Sequence, residues 1–413
     1  MSLGLSKIES HSTRHGMTLV EMLVATTMTL VIMGVVVQLF GMVGNGVSAS
    51  RASLRMSSEL RSVAHALRTD LNGITVETVP PVKVDSDSGY LEIIEGSGTD
   101  SSLGFTQLTG DVDDVLMFTT KSMGKPFVGK LGTAGDLIES PYAEVAWFCR
   151  STSKTVGGST LYNLHRRQFL VMDYVGANPF HGTNSHSVTL PAALQDYDLS
   201  LRQVGGNVLP NGLSDLTKRE NRFLHNFAGV VSAGAFPYNN VMTNLPANGS
   251  LSGNRLGEDI VLTNVLAFDV RVFDPDARVR DSGGGVALVP GDPGYSASLS
   301  SLASGAYIDM GVTGAGKFAS MHTKSQLSTL STYDTWSDHY EFNGIDEDSQ
   351  YGVDQKNNMI DDDSNDIIDD EDELETSPPY PVPLRGLEVR IRIYDTSTRQ
   401  VRQVTVRHTF VPH

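Results

Sequence analysis

The chain has one cysteine, Cys149, in 413 residues, so no intrachain disulfide can contribute to its stability. It also lacks a Gly-x-Ser-x-Gly elbow and a His-Glu-x-x-His pair, and so shows neither a hydrolase nucleophile nor a zinc constellation. Basic residues are in deficit, with 31 Lys and Arg against 48 Asp and Glu and a net charge of −17. That balance argues against direct binding of nucleic acid, whose phosphates need clustered Lys or Arg. The segment Gly311 to Phe318 nearly spells a phosphate-binding loop, but Phe318 stands where Ser or Thr must hold Mg²⁺. His181 and His186 lie in a polar stretch and read as solvated. Cys149 alternates with Val145 and Trp147 on an apolar face, the pattern of an inert buried thiol.

Charge of either sign is also missing between Glu21 and Arg51, where the run from Met22 to Val43 is mostly apolar. About 20 such residues span a bilayer. An ordinary signal peptide, cut after Val47-Ser48-Ala49, would have a hydrophobic core of only ~7–15 residues and no Glu at its edge. A plain signal anchor accounts for the length but not for Gly16 and Glu21. An unpaired carboxylate among Leu19, Val20, Met22 and Leu23 costs roughly 2.5–3.5 kcal/mol on insertion scales, so Glu21 calls for a partner. Basic residues flank the run on both sides, Lys7 and Arg14 before it and Arg51, Arg55, Arg61 and Arg68 after it. Charge bias alone therefore leaves the orientation open.

The run Arg14-His15-Gly16-Met17-Thr18-Leu19-Val20-Glu21 resembles the processing signal of the type IV prepilins. The resemblance implies that a prepilin peptidase cuts after Gly16 and that Met17 becomes an N-methylated amino terminus. It also implies that Glu21 pairs with the α-amino group of a neighbouring subunit's first residue during filament assembly. Residues 1–16 would be the leader and 17–46 the transmembrane half of a long helix.

Beyond the apolar run, Met56, Leu60, Val63, Leu67 and Leu71 recur every three or four residues among Arg55, Glu59, Arg61 and Arg68. This predicts an amphipathic continuation over 47–73 with one buried stripe, stopped at Asn72-Gly73. Strands are expected at Asp114 to Thr119, Ala143 to Arg150, Gln168 to Met172 and Leu266 to Val272. A closing hairpin over 377–413 alternates Leu387, Val389, Ile391 and Ile393 with polar residues, then turns at Asp395-Thr396-Ser397-Thr398. The fold class is α+β, with a helix on an antiparallel head spanning 74–340. Residues 173–254, rich in Asn, Gly and Pro, read as loops or an inserted lobe, and 280–305 as a Gly/Ser-rich excursion. The order of the Ala-Glu-Val strand, the Leu161-Tyr162 strand, the Phe268-Asp269-Val270-Arg271 strand and the final Leu387-Glu388-Val389-Arg390 hairpin is similar to the J-type minor pseudopilins of type II secretion. The W-type minor pilins share much of it. The resemblance implies a pilin-like fold, a bacterial inner-membrane anchor and a periplasmic head. Its expected partners are membrane lipid, other pseudopilins or minor pilins and the inner-membrane assembly platform.

Acid is concentrated in one place. Residues 341–376 hold fifteen Asp or Glu and a single Lys, without which the chain would be near neutral. The stretch repeats with a period of fifteen, Ile345-Asp346-Glu347-Asp348-Ser349 aligning with Ile360-Asp361-Asp362-Asp363-Ser364. In the second copy Asp361, Asp363, Asn365, Asp369 and Asp372 occupy positions 1, 3, 5, 9 and 12 of an EF-hand-type loop. Ile367 offers its carbonyl at position 7 and Ile368 an inward apolar anchor. Asp366 stands where Gly usually turns the loop. The first copy has Asp346, Asp348, Gln350, Asp354 and Asn357, with fewer charges. Calcium is the cofactor this pattern predicts.

The function expected from these features is that of a minor pseudopilin, a structural subunit and not an enzyme. A minor type IV pilin for adhesion or DNA uptake is one alternative. A pilin-anchored, calcium-dependent binding module is the other.

Overall fold

One helix, α1, runs without a break over Leu19–Asn72. The computed structural model describes residues 16–97, 110–132, 136–172, 189–204, 207–225, 241–314, 316–322, 330–350, 352–370 and 373–410. The chain divides into two units, Met1–Arg55 and Met56–His413. In the first, α1 is long and apolar enough to cross a membrane, and its large side chains are exposed all round, Leu30 at 68% and Phe40 at 74%. The 22 residues from Met22 to Val43 rise about 33 Å at 1.5 Å each, close to the thickness of a bilayer's hydrocarbon core.

In the second unit the predicted stripe is the spine of the core. Met56, Leu60, Val63, Leu67 and Leu71 are all buried against the face of a ten-stranded sheet. The helix stops where expected, at Asn72, and residue 73 must be glycine because a side chain there would overlap the carbonyl oxygen of Lys121 as the chain passes that strand. The fastening is polar as well. Asp70 accepts from Trp147 Nε1 at 3.0 Å and from Arg166 Nε and NH2, each at 2.7 Å.

The sheet's strands are β1 (Leu91–Ile94), β2 (Val115–Lys121), β5 (Tyr142–Val156), β6 (Ser159–Leu170), β9 (Ile260–Asp281), β10 (Ala287–Leu288), β11 (Ser301–Ile308), β12 (Thr332–Asp334), β13 (Gly386–Asp395) and β14 (Gln400–Thr409). They lie in the order β12-β1-β2-β5-β6-β9-β13-β14, with β10 and β11 also on β9, and every pairing is antiparallel. Two small hairpins, β3 (Phe127–Leu131) with β4 (Asp136–Ser140) and β7 (Leu201–Val204) with β8 (Asn207–Pro210), stand apart. The predicted strands extend further than their apolar runs. Of the predicted strand Gln168 to Met172, Gln168 to Leu170 is the end of β6, which begins at Ser159, and Val171 and Met172 lie past it. The closing hairpin pairs in register from Gly386↔Thr409 to Asp395↔Gln400.

Both faces of the central strands are covered. Leu116 and Phe118 of β2 point into the core beneath α1, whereas Val115 and Met117, one residue out of phase, enter a second core with Phe148 and Phe169. That second core is capped by the described parts of the 173–254 region, including Leu190, Leu194, Leu213 and Leu216. These described parts form an inserted lobe; His181 and His186 lie outside the described residues. It is pinned by charges that sequence reading missed. Glu92 and Asp334 are cross-strand neighbours, a repulsive pair on its own. Arg219 NH2 reaches Glu92 at 2.7 Å and its Nε reaches Asp334 at 3.1 Å, while Arg222 NH1 lies 2.8 Å from Asp334 and His225 Nε2 lies 2.8 Å from Glu92. All five side chains are buried.

Candidate functional site

Two loci carry the candidate residues. At the first, Gly16, Met17 and Thr18 precede the helix as exposed, non-helical chain. Thr18 N donates to Glu21 Oε2 at 2.9 Å, Thr18 Oγ1 donates to the same oxygen at 3.1 Å, and Glu21 N donates back to Thr18 Oγ1 at 3.2 Å. This is a reciprocal capping box, Thr18 at the N-cap and Glu21 three residues on, which satisfies two otherwise open amides of the helix start. Glu21 therefore has a role inside its own chain, one the sequence reading did not assign. It is nonetheless exposed, so its carboxylate is open to a partner.

The second locus is the acidic insert. Its base is closed by Glu341, whose buried carboxylate accepts from the amides of Glu375 at 3.1 Å and Thr376 at 3.0 Å. The fifteen-residue repeat exists in the backbone as well as in the letters. Gly344 and Met359, Ser349 and Ser364, and Asp354 and Asp369 are left-handed in matching pairs. The hydrogen bonds match too. Ile345 N reaches Asn343 Oδ1 as Ile360 N reaches Asn358 Oδ1, both at 2.7 Å. Gln350 N reaches Asp348 Oδ1 at 2.9 Å as Asn365 N reaches Asp363 Oδ1 at 3.0 Å.

In the second copy one oxygen each from Asp361, Asp363 and Glu373 lies within 4.8 Å of the others. The carboxylate that joins the two aspartates is thus Glu373, one residue past the predicted Asp372, which lies outside the described residues. Glu373 is buried and its two oxygens gather loop amides, Oε1 from Asp362 at 2.5 Å and Asp363 at 3.3 Å, Oε2 from Asp370 at 3.2 Å. Asn365 and Ile367 stay in the loop, Asn365 Oδ1 accepting from Ile367 N at 2.8 Å. One expectation is corrected. Ile368 is not an inward anchor: it and Ile367 are both more than half exposed, because among the described residues the insert has no flanking helix pair to receive them. Asp369 turns one oxygen back to the loop's own start, accepting from Met359 N at 3.0 Å, as Asp354 does from Gly344 N at 3.1 Å in the first copy.

The first copy is looser. Asp346 Oδ1 accepts from Ser349 N at 2.5 Å, and Asn357 donates to the Glu341 carbonyl at 3.4 Å. Among the described residues, Asp346 and Asp348 have no third carboxylate gathered with them. Beside the copy lies Glu375, buried against Glu347; desolvation first, then that neighbour, pushes its carboxyl up to about 9. A cavity of about 440 Å³ opens at the insert's base between Pro80, Trp336, Glu341, Phe342, Lys356 and Pro378.

The other motifs close without chemistry. The amides of Gly316 and Phe318 donate to Asp274 Oδ2 at 2.8 and 3.0 Å, so a carboxylate of the chain itself fills the place a phosphate would take. Cys149 is buried, and burial, then Asp114 and Asp111, push its thiol well above the ordinary range. Comparison with protein-family models, curated proteins and solved structures returned no match.

Proposed function

We propose that the chain is a minor pseudopilin, a non-enzymatic subunit of a periplasmic filament of the type II secretion kind. The observation that carries this reading is the division of α1. One uninterrupted helix has a fully exposed apolar first part, headed by Gly16-Met17 and Glu21, and a second part that is the spine of a β-rich head. A signal peptide has no reason to continue into the core of the mature fold, and a simple anchor has no reason to carry an acid at its membrane end. On this reading prepilin peptidase cleaves after Gly16 and Met17 is N-methylated in the inner membrane. Glu21 then meets the amino terminus of a neighbouring subunit on the assembly platform. The head lies in the periplasm. Calcium belongs to the reading at the second acidic loop, since the oxygens of Asp361, Asp363 and Glu373 are close enough to share one hard cation.

The test is the amino terminus of the membrane-extracted protein, read by intact mass and terminal sequencing in cells with and without prepilin peptidase. A methylated Met17 that depends on the peptidase is expected; an unaltered Met1 refutes the reading. The secreted proteome of a deletion strain then separates the filament types. Loss of a defined set of secreted proteins is expected, whereas an unchanged supernatant with altered piliation makes the chain a minor pilin instead.

A further inference from the structure

A second cluster of acid lies far from the acidic insert, inside the head. The edge of β9 changes partner along its length: β6 pairs with it as far as Val265, and β11 takes over at Val272. The intervening stretch is filled by residues 110–114. Gly110 N donates to Leu266 O at 2.9 Å, Phe268 N to Asp111 O at 2.7 Å, and Val270 N to Asp114 Oδ2 at 2.7 Å. The end of β1 comes to the same seam, where Glu95 Oε2 accepts from Met310 N at 3.1 Å, just beyond β11. Backbone pairing thus brings Glu95, Asp111 and Asp114 together, all three at least 97% buried.

One carboxylate oxygen from each lies within 4.8 Å of the other two. Among the described residues, Glu95 Oε1 and Asp111 Oδ2 are buried atoms with no hydrogen-bond partner. Around them stand further acids and little positive charge. Asp113 accepts from Ser97 N at 2.9 Å. Arg271, the guanidinium of the seam, is held by Asp269 at 3.0 Å and Asp309 at 2.9 Å, and Arg390 NH1 stands 3.7 Å from Asp269. Each buried oxygen without a donor carries its full desolvation penalty, which ordinary packing has no reason to retain.

We propose that Glu95, Asp111 and Asp114 form a buried calcium site that locks the junction of β1, the 110–114 segment and β9. The donor set is oxygen alone, which excludes the ions that favour imidazole or thiolate. Calcium accepts oxygens at about 2.3–2.6 Å in flexible geometry, so two ligand atoms up to roughly 5 Å apart fit one ion. Magnesium holds its ligands closer and keeps several waters, for which a buried seam gives little room. The ion also supplies the charge the cluster lacks. The site stands whether or not the chain is a filament subunit.

The test uses the full chain in detergent, stripped with chelator and titrated with Ca²⁺ alone by calorimetry and equilibrium dialysis. The acidic insert is silenced first, as D346N/D348N/D361N/D363N. That variant is expected to keep one calcium ion per chain and to unfold at a higher temperature with calcium than with chelator; no bound ion overturns the proposal. Adding Glu95→Gln and Asp111→Asn is expected to abolish the remaining ion. In chelator the combined variant should melt no lower than its parent, since it removes repulsion and keeps shape. Retention of the ion overturns the site. If the combined variant does not fold, Glu95→Gln alone decides: a weakening of calcium binding by tenfold or more supports the site, and an unchanged affinity overturns it. Magnesium binding as tightly as calcium overturns the choice of ion.

Discussion

Replacing Asp70 by Ala should loosen the attachment of α1 to the head more than any other single polar change on that face. Asp70 is 2% exposed, one turn from the helix end, and takes three hydrogen bonds, one from the Trp147 indole and two from Arg166 in a forked pair. Arg166 is itself partly buried, with 18% of its side chain exposed, and its remaining partner is Gln168 Oε1 at 2.9 Å. Removing one member of a buried ion pair costs about 3–5 kcal/mol, because the charge left behind is neither paired nor solvated. The exposed fraction of Arg166 lets the guanidinium swing toward water, which places the expected loss at the lower end, about 3 kcal/mol. Asp70→Asn keeps the shape and one acceptor and should cost about 1.5–3 kcal/mol, the worth of hydrogen bonds to a charged group. The assay is urea unfolding of the full chain in detergent, followed by tryptophan fluorescence. Trp147 is one of only two tryptophans and sits in the interaction itself. Pairing Asp70→Ala with Arg166→Met should give a double variant less destabilised than the sum of the singles. A loss below about 1 kcal/mol for Asp70→Ala, or strict additivity in the cycle, would refute the reasoning.

Glu21→Gln preserves a capping box, since Gln serves at that position, but removes the charge. Helix content should be unchanged and incorporation into filaments, scored by cross-linking, should fall sharply; normal incorporation would reduce Glu21 to a cap. At 100 times its dissociation constant, calcium at the second acidic loop should add about 2.7 kcal/mol to unfolding stability, and Asp361→Asn with Asp363→Asn should remove that gain. Asp395 is held down to about 2, first by the Ser397 hydroxyl and then by the amide and hydroxyl of Thr398, as it closes the β13–β14 turn. A lowered carboxyl stabilises fully above its unfolded value and loses that contribution as pH falls through the folded one. Asp395→Ala should therefore cost about 1–2 kcal/mol at pH 7 and only a few tenths near pH 2, where the folded carboxyl is about half protonated, read from denaturation midpoints at the two pH values.

What was legible in the sequence is what depends on neighbours along the chain. The stripe of Met56 to Leu71 has a helical period, the closing hairpin alternates, and the acidic repeat keeps its fifteen-residue spacing, so each appears in the structure at its own residues. The 173–254 lobe has no period to read, because its apolar residues fill the second face of a sheet whose other face is already covered by α1. Arg219, Arg222 and His225 were invisible for a related reason. Only the cross-strand pairing of Glu92 with Asp334, some 240 residues apart in sequence, gives those charges a purpose. Glu373 was not singled out because the loop template names only its twelfth position, Asp372, which lies outside the described residues.

The same distinction separates the two acidic clusters. The acidic insert announces itself by composition, yet the oxygens of its Glu373 are already taken by the amides of Asp362, Asp363 and Asp370, so the loop can close without an ion. Glu95, Asp111 and Asp114 are scattered over residues 95–114 with no motif spacing, yet among the described residues two of their oxygens are left buried and unanswered. Charge density along the chain measures how soluble a segment is; a cation is required only where folding removes water from carboxylates and supplies no donor in return. By that criterion the seam beside β9 is a place where loss of calcium should be felt by the fold of the head.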